Sequence, residues 1–249
     1  MKHRSRWLTF LTAAAVAVLA VWAWRYTSTP QWRAARLVAE LRRSGEPSGW
    51  VARALAAFGF RSQRRNPEDI AKEAAALGPI AVGPLTDALG DRRWRARYHA
   101  AQALYWMGPR AEQAVPALVE ALCDDHHYVR SWAASALGNF GPAARAAIPE
   151  LIRLVRDDPA EDVRRPAAMT LAQIGPEAAG AVDVLIPHLK SSDRGTRIYT
   201  AIALGMFGPA ARQAIPALTE AMRDPDEDLH REAAEALRRI RSSKAAGDP

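Results

Sequence analysis

The chain has 249 residues, 49% of them hydrophobic and 24% charged, a balance that excludes an intrinsically disordered protein. A lone cysteine, Cys123, excludes an intramolecular disulfide. The formal net charge of +7 arises at the start: residues 1–65 hold 12 Lys/Arg against Glu40 and Glu46, whereas the remainder holds 22 against 25 acids, a net of −3 that argues against nucleic acid as a partner of the main body.

Residues 1–6 form a basic tail, and residues 7–24 are an uncharged run from Trp7 to Trp24. As a helix, such a run reaches roughly 27 Å, close to the ~30 Å hydrocarbon core of a bilayer. Trp7 stands at one end and Trp22 and Trp24 at the other, as an aromatic belt requires. A single-pass anchor in the cell membrane is expected. The alternative is a cleaved signal peptide, with Leu8–Ala20 as its apolar region and Val21 and Ala23 as small cleavage-site residues. Arg25, Arg33, Arg36, Arg42 and Arg43 come after the span, and the positive-inside rule alone would keep the body in the cytoplasm. The short basic tail is instead the usual start of an export signal, and the body is expected outside the cytoplasm.

Residues 25–66 read as basic juxtamembrane or capping helices. Gln31–Arg43 places Trp32, Ala35, Val38 and Leu41 on one helical stripe, Ser44–Gly49 breaks it, and Trp50–Phe58 is a second short apolar helix. Two readings stay open. The module caps the exposed end of a helical rod formed by the rest of the chain, or residues 25–65 lie on anionic lipid headgroups beside the anchor.

From residue 67 to 241 the chain repeats. Gly78-Pro79, Gly108-Pro109, Gly141-Pro142, Gly175-Pro176 and Gly208-Pro209 recur at intervals of 30, 33, 34 and 33 residues. A period of that size marks stacked supersecondary units. Eleven residues before the last four glycines stand Arg97, Arg130, Arg164 and Arg197, and six before those stand Asp91, Asp124, Asp158 and Ser191. A final unit keeps the register with Asp224, His230 and Leu237 but has no Gly-Pro. Apolar residues such as Val129, Ala133, Ala136, Leu137 and Phe140 fall at helical offsets, giving two helices per unit. Glycine should close one helix in a left-handed cap and proline start the next. Pro116, Pro149 and Pro216 should lie in the first helix of their units and bend it. The aspartate should cap the second helix. Residues 242–249 are expected to be a disordered tail.

The motif Asp…Val-Arg-x-x-Ala-Ala-x-Ala-Leu-Gly-x-x-Gly-Pro, best kept at 124–142, resembles HEAT repeats in the short form of the phycobilisome-lyase-like subfamily. That resemblance implies an all-α fold, a right-handed α-solenoid of about five HEAT-like hairpins behind the N-terminal membrane-spanning helix. It also implies a ladder in which Asp91, Asp124, Asp158 and Asp224 pair with Arg97, Arg130, Arg164 and Arg197 between neighbouring units. Ser191 for Asp and His230 for Arg depart from the pattern and imply weaker stapling at the last two junctions.

The resemblance further implies that the second helix of each unit lines the concave side. The outward positions after each arginine then bring Tyr98, Trp106, Trp132, Met169, Ile198, Tyr199, Ile202 and Met206 to one face. A solvated face should be mostly charged, so this one is expected to bind a protein or peptide, with Trp106→Ala plus Trp132→Ala abolishing capture and sparing the fold.

Chemistry is harder to find. Asp124-Asp125-His126-His127 beside Cys123 is the densest ligand-like cluster, but it sits in one turn, and a metal site needs three or four convergent ligands. There is no G-x-S-x-G, P-loop or Gly-rich dinucleotide loop. No catalytic residue, metal or cofactor is assigned, and a non-enzymatic scaffold is expected. The rivals are an enzyme of the lyase-like HEAT group acting on a protein-bound cofactor and a nucleic-acid-binding HEAT-like protein.

Overall fold

The computed structural model describes residues 29–43 and 66–242, all of it helix and connecting turn. Helix α1 is Pro30–Arg43 and α2 is Pro67–Ala76. Five hairpins come next: α3 (Val82–Leu89) with α4 (Trp94–Met107), α5 (Val115–Ala121) with α6 (His127–Gly138), α7 (Ile148–Asp157) with α8 (Glu161–Ile174), α9 (Val182–Leu185) with α10 (Arg194–Phe207), and α11 (Ile215–Ala221) with α12 (Glu227–Ser242). The even-numbered helices from α2 to α12 stack on one another, and the odd-numbered helices of the hairpins form a looser second layer. A two-layer stack curves towards its tighter side, which puts the even helices on the inside.

The Gly-Pro signal has a backbone cause. Gly108 has φ 58°, ψ −147° and Gly175 has φ 98°, ψ −149°. This is not the expected left-handed cap but the region that glycine alone occupies. The proline then opens a 3₁₀ turn rather than an α-helix: Gly108–Ala114, Gly141–Ala147, Pro176–Ala181 and Gly208–Ala214. Three residues per turn put positions i and i+3 on one face. Ala111 with Ala114, Ala144 with Ala147, Ala178 with Ala181 and Ala211 with Ala214 are accordingly all fully buried. Only after this turn do α5, α7 and α11 begin, with Pro116, Pro149 and Pro216 in their first turns. A first-turn proline lacks only an amide that no helix carbonyl needs, so these prolines start their helices instead of bending them. Pro187 lies further in, and Ile186–Lys190 turns 3₁₀, which cuts α9 to four residues.

The core is a continuous stripe of alanine and leucine, including Ala100, Leu104, Ala133, Leu137, Ala167 and Leu171, all fully buried. Small residues let the even helices approach closely. At Gly205 a Cβ would lie 2.9 Å from the Ala236 Cα of α12, so only glycine fits there. At the other end α1 packs on α2 and α4. Its buried stripe is Ala34, Leu37 and Val38, while Ala35 faces solvent. The expected stripe is therefore rotated by about one position.

One expectation is overturned. Among the described residues no helix is long and apolar enough to cross a membrane, and the single-pass cell-membrane localisation is corrected accordingly. The longest described helix, α12, has 16 residues and buries one face only, whereas a span needs about 20 apolar residues. The run 7–24, the second capping helix at 50–58 and the tail beyond 242 lie outside the described residues.

Candidate functional site

The ladder residues hold the even helices in register, and the rungs are unequal. Arg97 forks onto Asp124, with Nε to Oδ2 at 2.5 Å and Nη2 to Oδ1 at 2.8 Å, and its Nη1 donates to the Asp91 carbonyl at 3.0 Å. Arg130 repeats this on Asp158 at 2.7 and 2.9 Å, with Nη1 on the Asp124 carbonyl at 2.8 Å. Burial works against the Asp124 carboxylate, but Arg97 and the His126 amide outweigh it and hold its pKa below the usual range. The third rung is displaced. Arg164 has no aspartate to meet, and Arg165 instead forks onto Asp193 at 3.0 and 2.9 Å. The last rung is loose: Arg197 Nε is 3.7 Å from Asp224, and Arg194 pairs with Asp226 at 2.6 Å. The junction expected to be weakened by Ser191 is thus bridged by the next arginine along. The last junction, also expected to be weak, keeps Arg197 and Asp224, and their direct pair has opened.

Asp193 also caps α10, accepting the Thr196 amide at 2.5 Å. Burial raises its pKa, yet the hydrogen bonds from Thr196 and Arg165 win and bring it down to about 2. A depressed folded-state pKa stabilises the fold above the unfolded value of ~3.9, and that contribution is lost as pH falls towards 2. Thermal unfolding of Asp193→Asn should therefore depend less on pH between about 4 and 2 than that of the unaltered chain. Parallel pH curves for the two would refute this.

The inner face opens with aromatic side chains. Trp94 stacks on His126 with ring centroids 3.7 Å apart and planes 5° apart. Tyr98 meets Trp132 edge-on at 6.2 Å, and Trp132 also meets Tyr105 at 5.3 Å and Trp106 at 6.4 Å. Tyr98, Trp106, Trp132, Met169 and Ile198 are half-buried and pack against the core, and Ile202 is half-buried too. Of the eight residues assigned to binding, Tyr199 and Met206 are the exposed ones. Trp94, His126 and Tyr128, the last of which is 45% exposed, join the aromatic face, and none of the three was assigned to binding. The available signal was that Trp94 and His127 stand at the same offset, three residues before a ladder arginine.

Beyond the aromatic cluster lies a groove of about 440 Å³ crossing four even helices, lined by Tyr105 of α4, Ser135 and Asn139 of α6, Met169 and Gln173 of α8 and Tyr199 of α10. Its floor is pinned by a proline. Pro166, inside α8, cannot donate to the Asp162 carbonyl four residues back. Ser131 Oγ of α6 donates to that freed carbonyl at 2.6 Å, and Asn139 Nδ2 donates to the Tyr105 carbonyl at 2.9 Å. Both charged side chains in the groove already have partners: Asp162 faces His127 Nδ1 at 3.0 Å, and Arg165 is on Asp193. The rest of the lining is aromatic and rich in amide and hydroxyl groups.

The Asp124–His127 cluster diverges. Asp124 holds Arg97, His126 stacks on Trp94, His127 faces Asp162, and Cys123 Sγ donates to Glu150 at 3.3 Å. Burial first, then the Glu150 carboxylate, pushes the Cys123 thiol pKa up, which disfavours a thiolate nucleophile.

A family model described as HEAT repeats matches residues 34–138, 82–172, 115–197 and 182–247, and the chain belongs to that family. No curated protein matches it. Among solved structures, an engineered protein is 25% identical, with TM-score 0.60 over 84% of this chain and 96% of its own. Computationally designed armadillo repeat proteins for modular peptide recognition are 19% identical, with TM-score 0.59 over 83% and 99%. The karyopherin Kap121p bound to the extreme C-terminus of the protein phosphatase Cdc14p is 16% identical, with TM-score 0.60 over 85% of this chain and 25% of its own.

Proposed function

We propose that this HEAT-repeat chain works by binding rather than by turnover, and that it holds an extended, largely uncharged segment of a partner protein along its even helices. The observation that carries this is the groove across α4, α6, α8 and α10, with its aromatic and amide lining and with Asp162 and Arg165 already engaged by His127 and Asp193. Tyrosine and tryptophan offer large contact area at small entropic cost, while Asn139 and Gln173 can bond to a peptide backbone. The similar repeat proteins that recognise a peptide or a protein's C-terminus support the reading by fold only. Asp162 and Arg165, the charged side chains of the groove, already hold His127 and Asp193, which supports a role in binding.

Selection from a displayed peptide library should enrich uncharged sequences whose binding is insensitive to salt. Ser135→Arg puts a long cation into the middle of the groove and should weaken those peptides about tenfold or more, with Tyr199→Ala acting in the same direction. Enriched peptides that bind the Ser135→Arg protein as well as the parent would remove the groove from consideration.

A further inference from the structure

The turns before the even helices of the five hairpins carry Asp91, Asp124, Asp158, Ser191 and Asp224 at equivalent positions. The aspartate has two tasks there. One is local: Asp124 Oδ1 accepts the His126 amide at 2.8 Å, and Asp158 Oδ1 accepts the Ala160 amide at 2.9 Å. The other is to receive the guanidinium fork of the preceding hairpin, as Asp124 and Asp158 do. Ser191 keeps the first task, its Oγ accepting the Asp193 amide at 3.2 Å. It has no carboxylate for the second.

Arg164 is left short of acceptors. It donates Nη1 to the Asp158 carbonyl at 2.7 Å, and Nη2 stands 3.4 Å from Glu161 on its own helix. Arg97 and Arg130, by contrast, each have Nε and Nη2 bonded to a carboxylate. The Arg165–Asp193 pair bridges the same junction from one residue over and leaves the Arg164 fork without a carboxylate from the next hairpin. The Arg164 side chain is only 17% exposed, so an acceptor arriving there would be weakly screened. His188, on the 3₁₀ segment before Ser191, has its pKa lowered first by burial and then by the nearby Arg164 charge. Ser191 is half-buried and lines a cleft of about 670 Å³ between the fourth and fifth hairpins.

We infer that this junction is an oxyanion site, in which the Arg164 fork and the Ser191 hydroxyl take a phosphate group in place of the missing carboxylate. The phosphate has two sources. It can be free inorganic phosphate, or an ester on Ser191. The ester forms when a kinase transfers the γ-phosphoryl of a nucleoside triphosphate to Oγ, with loss of the hydroxyl proton and release of the nucleoside diphosphate. The ester carries about −1.5 to −2 charge at the register position that holds a carboxylate elsewhere.

The test is thermal unfolding of the full chain. Ser191→Asp should raise Tm by about 2–4 °C. Ser191→Asn, similar in shape and uncharged, should not, and the gain should vanish in an Arg164→Gln background. Inorganic phosphate, against chloride at matched ionic strength, should raise Tm of the parent but not of Ser191→Asp or Arg164→Gln. Phosphoserine installed at 191 should match or exceed Ser191→Asp and abolish the phosphate response. Intact mass of the protein from its own cells separates the sources, since a phosphate on Ser191 points to the ester and an unmodified, phosphate-responsive chain to the free ion. The inference falls if Ser191→Asp gains no more than Ser191→Asn, if its gain survives Arg164→Gln, or if phosphate acts alike on all three proteins. It falls equally if Ser191→Asp gains but phosphate in neither form does, because the junction then accepts only a carboxylate.

Discussion

Arg130→Ala should lower the unfolding free energy by about 3–5 kcal/mol, more than the loss of any other ladder side chain. Arg130 is 9% exposed and Asp158 5%, so truncation leaves a buried carboxylate without its counter-charge. It also strips the Asp124 and Asp125 carbonyls of the Nη1 donor they share. The reference is Arg164→Ala, which removes one hydrogen bond and one long ion pair and should cost about 0.5–1.5 kcal/mol. Urea unfolding of both, with Asp158→Asn to complete a double-mutant cycle on Arg130, measures the difference. Equal losses for the two arginines would show that the rungs are interchangeable and that the unequal geometry has no energetic meaning.

Trp132→Ala should cost about 2–4 kcal/mol, somewhat below the range for a fully buried tryptophan because the ring is only half-buried. Trp132 is the centre of the aromatic cluster, edge-on to Tyr98, Tyr105 and Trp106 at 6.2, 5.3 and 6.4 Å, so its removal loses three ring contacts as well as packing. This replaces the expectation that alanine at Trp106 and Trp132 spares the fold. Trp132→Phe should recover most of the stability. A Trp132→Ala protein within about 0.5 kcal/mol of the parent would mean that the ring sits on the surface and not in the wall of the core.

The ladder illustrates which parts of the molecule could be read from residues alone. A guanidinium fork reaching across one hairpin meets its carboxylate 27 or 28 residues on, and the Arg97–Asp124 and Arg130–Asp158 rungs lie at those separations. A fixed separation of that kind is visible in a sequence. The substitution of Arg165–Asp193 for the third rung was not, because nothing local distinguishes an aspartate that caps a helix from one that also receives a neighbour's arginine. The 3₁₀ turns were hidden for a different reason. Ala-Ala-Arg-Ala-Ala suits an α-helix as well, and only the Gly-Pro backbone and the burial of every third alanine choose the tighter winding.

The inner face divides along the same line. The repeat period, the hairpin register, the all-helical class and the set of large apolar residues on the even helices were determined by the sequence itself, because each comes from spacing along the chain. Which of those residues are packed and which remain open was decided by the tertiary structure. Trp106, Trp132 and Met169 lean on the core while Tyr199 and Met206 stand clear, and the groove runs where Pro166 frees a carbonyl for Ser131. Exposure on a stacked rod depends on how closely the next hairpin approaches, and that distance is set by contacts between residues about 30 positions apart, which no local pattern encodes.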